Sequence, residues 1–314
     1  MTKKVLKFFK SLAKIILPAI FGLLIKLKLN RRVINFLNEE SYKSNNKYNF
    51  IKLLESLLKN KKIITLDVGA QGGFNSDNFF PSKYNQFFED ILVEPIETEA
   101  NKLNNKKLII KKGLWNKKEK KILNILDKRL GSSSMYIPNE QAFDLHNIRK
   151  KDFENYKVTR KIDVECDTIS NQLSELNITS LDYLKIDTQG AELEILKGIG
   201  NYRPLLIKTE AHFFSMYKNA PSWHKVVNFL YELNYVLIDY KDIGDHNTRI
   251  TAEADMIFIP NFDNEIGEKL IKSNEEKFMS IMLIFGQIKL LQIIMKKFGI
   301  NNKELEQLED HYFN

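Results

Sequence analysis

The sequence predicts a doubly wound α/β fold: a mainly parallel, seven-stranded Rossmann-like sheet whose last strand is antiparallel, with helical extensions at both ends. Three observations carry this. Short apolar runs at 63–67, 91–94 and 181–187 each end in an acidic residue, Asp67, Glu94 and Asp187. Helical stretches alternate with such runs, the pattern of a parallel sheet covered on both faces. Two late apolar runs, 235–239 and 255–259, are joined by the polar loop 241–254 with no helix between them, so they should pair antiparallel.

Read in order, the chain begins with Lys4, Lys7, Ser11 and Lys14 at helical spacing, while Val5, Phe8, Phe9, Leu12, Ile15 and Ile16 fill the other side. This is a basic amphipathic arm. Only eleven uncharged residues separate Lys14 from Lys26, broken by Pro18 and Gly22, whereas a spanning helix needs about 20, so the arm should not cross a bilayer. No small-residue cleavage pattern follows, which argues against a secretory signal. Residues 1–32 either lie in the interface of an anionic membrane or pack an apolar stripe on the rest of the chain. Residues 42–48 are polar and rich in Asn and Lys, a linker that closes an arm over 1–48. A helix over 51–58 opens the main domain, 49–262. Strands are expected at 63–67, 91–94, 107–112, 161–166, 181–187, 205–210, 235–239 and 255–259. In the extension 263–314, residues 271–298 are helical and apolar, a dimer contact or a second membrane-facing helix, and 304–314 form an acidic tail.

The segment 63–73, Ile-Ile-Thr-Leu-Asp-Val-Gly-Ala-Gln-Gly-Gly, reads as a strand, a tight turn and a helix start at Asn75 or Ser76. Glycines there let backbone approach a nucleotide-like ligand. A dinucleotide fingerprint needs G-x-G-x-x-G, but Gln71 stands at its second glycine, and no Gly-Lys-Ser/Thr phosphate loop follows. What remains is D-x-G-x-x-x-G, with Asp67, Gly69 and Gly73, which is similar to motif I of class I S-adenosylmethionine-dependent methyltransferases. Glu94, ending the second strand in Val93-Glu94-Pro95, can accept both hydroxyls of a ribose. Residues 181–198 read as a strand, a sharp turn and an amphipathic helix ending at Gly198. Residues 204–214 form a further strand with a polar end.

Together the Asp-x-Gly turn, Val-Glu-Pro, Lys185-Ile-Asp-x-Gln-Gly-Ala-Glu192 and Lys208-Thr-Glu210 resemble, in that order, the FkbM family of methyltransferases over about 63–260. The resemblance implies O-methylation of a hydroxyl, commonly on a sugar or a secondary metabolite, with S-adenosylmethionine as donor. It places the cofactor at Asp67, Gly69, Gln71, Gly73, Asn75, Glu94, Pro95, Gly113 and Ser133, the last in a Ser-containing loop, 131–134, like the family's. The chain departs from the family at Gln189, where many members carry Glu.

Methyl transfer needs proximity and a way to remove the hydroxyl proton. Asp187 can orient donor or acceptor, and Glu210 and His212, two residues apart, share one face of an extended strand. His212 can act as a base near neutral pH. Alternatively Asp187, Glu210 and His212 can hold a divalent cation such as magnesium that acidifies the hydroxyl. His146, His224, His246 and His311 have no such positional argument. With 43% hydrophobic residues in 314, the chain can bury one substantial core. The single cysteine, Cys166, excludes an intramolecular disulfide and a cysteine zinc cluster, which suits the cytoplasm. Much of the net charge of +8 lies near the N-terminus, which favours an anionic membrane surface over nucleic acid as partner. The favoured acceptor is a hydroxyl of a cell-surface glycan or its lipid-linked precursor, made where such an arm would hold the enzyme. A homo-oligomer is open. Two competing functions remain, a nicotinamide-dependent oxidoreductase, disfavoured by the missing fingerprint, and a non-catalytic membrane or protein adaptor that retains the fold.

Overall fold

The computed structural model describes residues 16–20, 22–24, 26–27, 29, 49–103, 108–242 and 250–300. Helix α1 (Ile51–Leu58) buries Leu54 and Leu58 and ends at Lys59, whose φ of 48° closes the helix with a bond from its N–H to the Glu55 carbonyl. Strand β1 (Ile63–Val68) follows and pairs in parallel with β2 (Phe88–Val93) and β7 (Tyr183–Ile186). The remaining central strands are β3 (Leu108–Ile110), β8 (Leu206–His212), β9 (Tyr235–Asp242) and β10 (Glu253–Pro260).

The seven strands lie in the order β3-β2-β1-β7-β8-β10-β9, and β10 runs antiparallel to both its neighbours. The chain travels outward through β2 and β3, then re-enters at β7 on the other side of β1. That reversal leaves a crevice beyond the carboxyl ends of β1 and β7, where open α/β sheets bind ligands. Residues along each strand divide between two cores. Helices α2 (Glu97–Ala100) and α3 (Ile169–Glu175) precede β7 in the chain. Leu66, Val68, Leu184, Ile186, Ile207 and Phe258 face one cluster with α3, α4 (Glu192–Lys197) and α5 (Trp223–Glu232). Ile63, Tyr183, Leu206, Ile257 and Ile259 face the other, with α1 and the C-terminal helices. Burial on both faces explains why these strands are continuous apolar runs.

Several expectations change. Residues 161–166 do form a strand, within β6 (Arg160–Asp167), but not in the central sheet. With β4 (Gly113–Leu114) and β5 (Glu119–Ile125), neither foreseen, β6 makes a separate sheet in the order β4-β6-β5. The reason is its surface. Arg160, Lys161, Asp163 and Glu165 are exposed while Val164 and Cys166 are buried, so only one face can be covered. No helix starts at Asn75 or Ser76. Asn75 and Asn78 take left-handed φ values of 55° and 50°, and a 3₁₀ turn at Ser82–Phe87 is the first helical piece after β1. The Asn75 amide donates to the Phe80 carbonyl at 2.8 Å and to Asn85 at 3.1 Å, folding the segment into a compact loop.

The C-terminal segment is three helices, α6 (Glu265–Ser273), α7 (Glu275–Ile284) and α8 (Ile288–Lys297). The middle helix packs within the chain. All residues of α7 from Phe278 to Ile284 are buried within the chain, and the Phe285 ring meets Tyr183 of β7 edge-on at 5.1 Å. Exposing the six apolar side chains of that stretch would cost on the order of 10 kcal/mol. Among the described residues no helix is long and apolar enough to cross a membrane. In the arm, residues 16–20 and 22–24 are helical, and Ile16, Leu17, Ile20, Leu23 and Leu27 are exposed rather than packed on the domain. Lys4, Lys7, Lys14, the linker 42–48, the tail 304–314, His246 and His311 lie outside the described residues.

Candidate active site

A cavity of about 290 Å³ opens at the crevice. The turn after β1 contributes Gly69 and Gln71, the end of β2 contributes Glu94 and Pro95, and the end of β7 contributes Asp187, Thr188 and Gln189. The second sheet supplies an apolar wall through Leu114 and Leu123, with Leu130 and Met135 beside them. Gly113 and Ser133 also line the cavity. Asp67, Gly73, Asn75, Glu210 and His212, named with these from the sequence, do not.

Gly69 has a φ of 81°, and a Cβ there would stand 1.9 Å from the Asp187 carbonyl oxygen. The glycine therefore lets the ends of β1 and β7 close on each other, which is a tighter constraint than approach by a ligand. Gly113 similarly sits against Cys166, whose Sγ would be 2.7 Å from an added Cβ. Asp67 is fully buried and paired with Lys185 at 3.1 Å, bridging β1 and β7. Burial pushes its carboxyl up, and the Lys185 ammonium works against that shift. Asn75 is consumed by the loop described above. Ser133 Oγ accepts the Leu126 N–H at 3.1 Å, so its hydroxyl also holds the fold of its own loop.

Glu94 is 4% exposed and accepts the Ile96 N–H at 2.8 Å through Oε1, which leaves Oε2 its acceptor capacity toward the cavity. Burial raises this carboxyl to about 7. Lys208, with its stem across β8, pairs with Asp77 at 2.6 Å and Asp255 at 3.0 Å. Burial works to raise Asp77, but Lys208 and Lys185 outweigh it and hold that carboxyl low. Asp77 and Lys185 both line the cavity and were not foreseen. The alternation Lys185-Ile-Asp187 does put Lys185 and Asp187 on one strand face, a signal available in the sequence.

The turn after β7 is built by Glu192, whose Oε1 accepts the N–H groups of Thr188 and Gly190, both at 3.0 Å. This presents Gln189, at φ 60°, as a connector. Its Nε2 donates to Glu210 Oε2 at 2.7 Å and to Asp187 Oδ1 at 3.3 Å, and its Oε1 accepts from the Tyr217 hydroxyl at 2.8 Å. Asp187 is thus at the cavity, and Glu210 and His212 lie one side chain behind it.

Behind Gln189, the antiparallel register of β10 on β8 sets Glu253 opposite His212 and Asp255 opposite Glu210. His212 Nε2 is 3.4 Å from Glu253 Oε2 and 3.7 Å from Glu210 Oε2, in neither case aligned as a hydrogen bond, so this buried nitrogen has no hydrogen-bond partner among the described residues. Burial, reinforced by Asp187 and Glu253, raises the Glu210 carboxyl well above its ordinary range. His146 joins from a distant loop, its Nε2 2.7 Å from the Phe214 carbonyl and its Nδ1 3.9 Å from Glu253 Oε2. Burial lowers its pKa. Glu253 could be found only by assuming the β8/β10 register, and nothing in the sequence marks His146.

A family model described as "Methyltransferase FkbM domain" matches residues 67–237, more than half of the chain. No curated protein matches the chain.

Proposed function

This chain belongs to the FkbM methyltransferase family, and we propose that it moves a methyl group from S-adenosylmethionine to a hydroxyl of a sugar in a cell-surface glycan or its lipid-linked precursor. The observation that carries this is the opening of Glu94 and Asp187 into one cavity at the switch point between β1 and β7. The residues fit the donor: a half-satisfied carboxylate for the ribose hydroxyls at Glu94, apolar walls from Leu114, Leu123, Leu130 and Met135, and a turn at Gly69 and Gln71 that closes the bottom.

S-adenosylmethionine supplies a methyl group on a sulfonium; as the acceptor oxygen forms its bond to carbon, the carbon–sulfur bond breaks with its electrons going to sulfur, and the hydroxyl proton leaves. In this chain Asp187 is the group placed to orient the acceptor hydroxyl and receive that proton. Glu210 and His212 act on Asp187 through Gln189, which bonds to both Asp187 and Glu210. The exposed apolar side chains Ile16, Leu17, Ile20 and Leu23, following a lysine-rich sequence, support an arm seated on the anionic inner face of the cytoplasmic membrane, beside such acceptors.

The test is transfer of labelled methyl from S-adenosylmethionine to a lipid-linked glycan fraction and to a panel of free sugars. Asp187→Asn should lower turnover by ~10²-fold or more with S-adenosylhomocysteine affinity close to wild type. Failure to bind S-adenosylhomocysteine would overturn the proposal, and binding with no turnover on any hydroxyl would make the chain an adaptor that retains the fold.

A further inference from the structure

We infer that Glu210, His212 and Glu253 form a site for one divalent transition-metal cation of the zinc, iron or manganese class. The three residues each offer one ligand atom, and these atoms lie within 4.8 Å of one another. Two ligand atoms about 2.1 Å from a tetrahedral metal stand about 3.4 Å apart. His212 Nε2 is 3.4 Å from Glu253 Oε2 and 3.7 Å from Glu210 Oε2, matching that spacing without hydrogen-bond alignment.

A second observation is the histidine itself. His212 is 8% exposed, and its Nε2 is aimed into the cluster, within ion-pair distance of both carboxylates but geometrically aligned as a hydrogen bond with neither. A buried polar atom is ordinarily satisfied, so a nitrogen left bare between two carboxylate oxygens marks the place of a cation. His146 stands beside the cluster, its Nε2 on the Phe214 carbonyl and its Nδ1 3.9 Å from Glu253 Oε2. Glu210 Oε2 is held by the bond from Gln189, the kind of outer contact that orients metal ligands.

The donor set decides the metal class. Imidazole nitrogen favours zinc, iron and related ions, while magnesium prefers oxygen and retained water. The three ligands sit on paired strands β8 and β10, which fixes their spacing without any loop closure. The site stands on this geometry alone and does not depend on the acceptor proposed above. Its placement behind Gln189 puts a positive charge one side chain from Asp187.

The test uses the full chain, stripped with chelator, dialysed and titrated with zinc by calorimetry, with cobalt(II) absorption as a second readout of coordination. About one equivalent should bind, and excess magnesium should not displace it. Glu253→Gln and His212→Ala should each weaken zinc binding by at least ~10-fold, while S-adenosylhomocysteine affinity reports that both variants are folded. His224→Ala, at an exposed position, should bind zinc like the wild type. The inference is overturned if wild-type protein that binds S-adenosylhomocysteine takes up no zinc, if Glu253→Gln binds zinc unchanged, or if magnesium displaces it. Stoichiometric zinc with no S-adenosylhomocysteine binding would instead remove the methyl-transfer proposal and leave the metal site standing.

Discussion

Lowering the pH from about 8 to about 6 should weaken binding of 5′-methylthioadenosine by about tenfold, because the ribose hydroxyls need an ionised Glu94. Burial raises this carboxyl to about 7, so at about pH 6 only about a tenth of the unliganded protein carries the charged form. The observed affinity falls by the same factor, about 1.4 kcal/mol. Methylthioadenosine has the ribose but not the amino-acid end of S-adenosylmethionine, so the probe's own titration does not interfere. Calorimetry in buffers of different ionisation enthalpy should show release of nearly one proton per ligand bound at about pH 6, and little at about pH 8. Glu94→Gln should bind ~1–3 kcal/mol more weakly at high pH and lose the pH dependence, which separates Glu94 from other titrating groups. The same shift acts on the unliganded fold. The native carboxyl holds its proton to higher pH than the unfolded one, so a stabilising contribution of up to about 3 kcal/mol is present below the ordinary glutamate pKa and is lost as pH rises through about 7. A flat wild-type affinity between these pH values, or an undiminished pH dependence in Glu94→Gln, would refute the assignment of Glu94 to the ribose.

Other consequences are testable in parallel. Lys185→Met should destabilise the protein by ~3–5 kcal/mol in urea unfolding, since Asp67 would be left fully buried without its partner, and Asp67→Asn added to it should recover much of the loss. Gly69→Ala should lower the melting temperature and cofactor affinity together, because the new Cβ would meet the Asp187 carbonyl at 1.9 Å on a backbone with φ 81°; a melting temperature unchanged from wild type would contradict this account of the β1/β7 junction. Deleting residues 1–32 should abolish salt-sensitive sedimentation with phosphatidylserine vesicles, where each lysine contributes about 1 kcal/mol, and leave S-adenosylhomocysteine affinity intact. Intact protein that ignores such vesicles would remove the membrane arm.

Much of the fold was legible because parallel strands buried on both faces must be apolar runs. Those runs ended in Asp67, Glu94 and Asp187 near where β1, β2 and β7 end. The helix 51–58, the stop at Gly198 and the antiparallel pairing of the last two strands depend on local pattern or on near neighbours, and each is present. At Asn75 the structure has a loop where the local sequence predicts a helix start, because side-chain bonds to Phe80 and Asn85 compete with helix formation. Residues 161–166 do form a strand, and its alternation of exposed charged and buried apolar residues suits a one-sided sheet, but the partner, β5, is set by tertiary pairing.

The candidate site divides along the same line. Gly69, Gln71, Glu94, Pro95 and Asp187 follow strand ends directly, so sequence position alone brings them to the cavity mouth. Asp67, fully buried and paired with Lys185, shows that a motif residue also holds the β1/β7 junction. The sequence by itself determined the sheet and the face of it that carries chemistry, since period and strand-end polarity are properties of short segments. Only the tertiary structure decided that Glu253 and His146 meet His212, and that α7 covers the sheet rather than a partner, because those contacts join segments far apart in the chain through a strand register and a packing choice that no local pattern encodes.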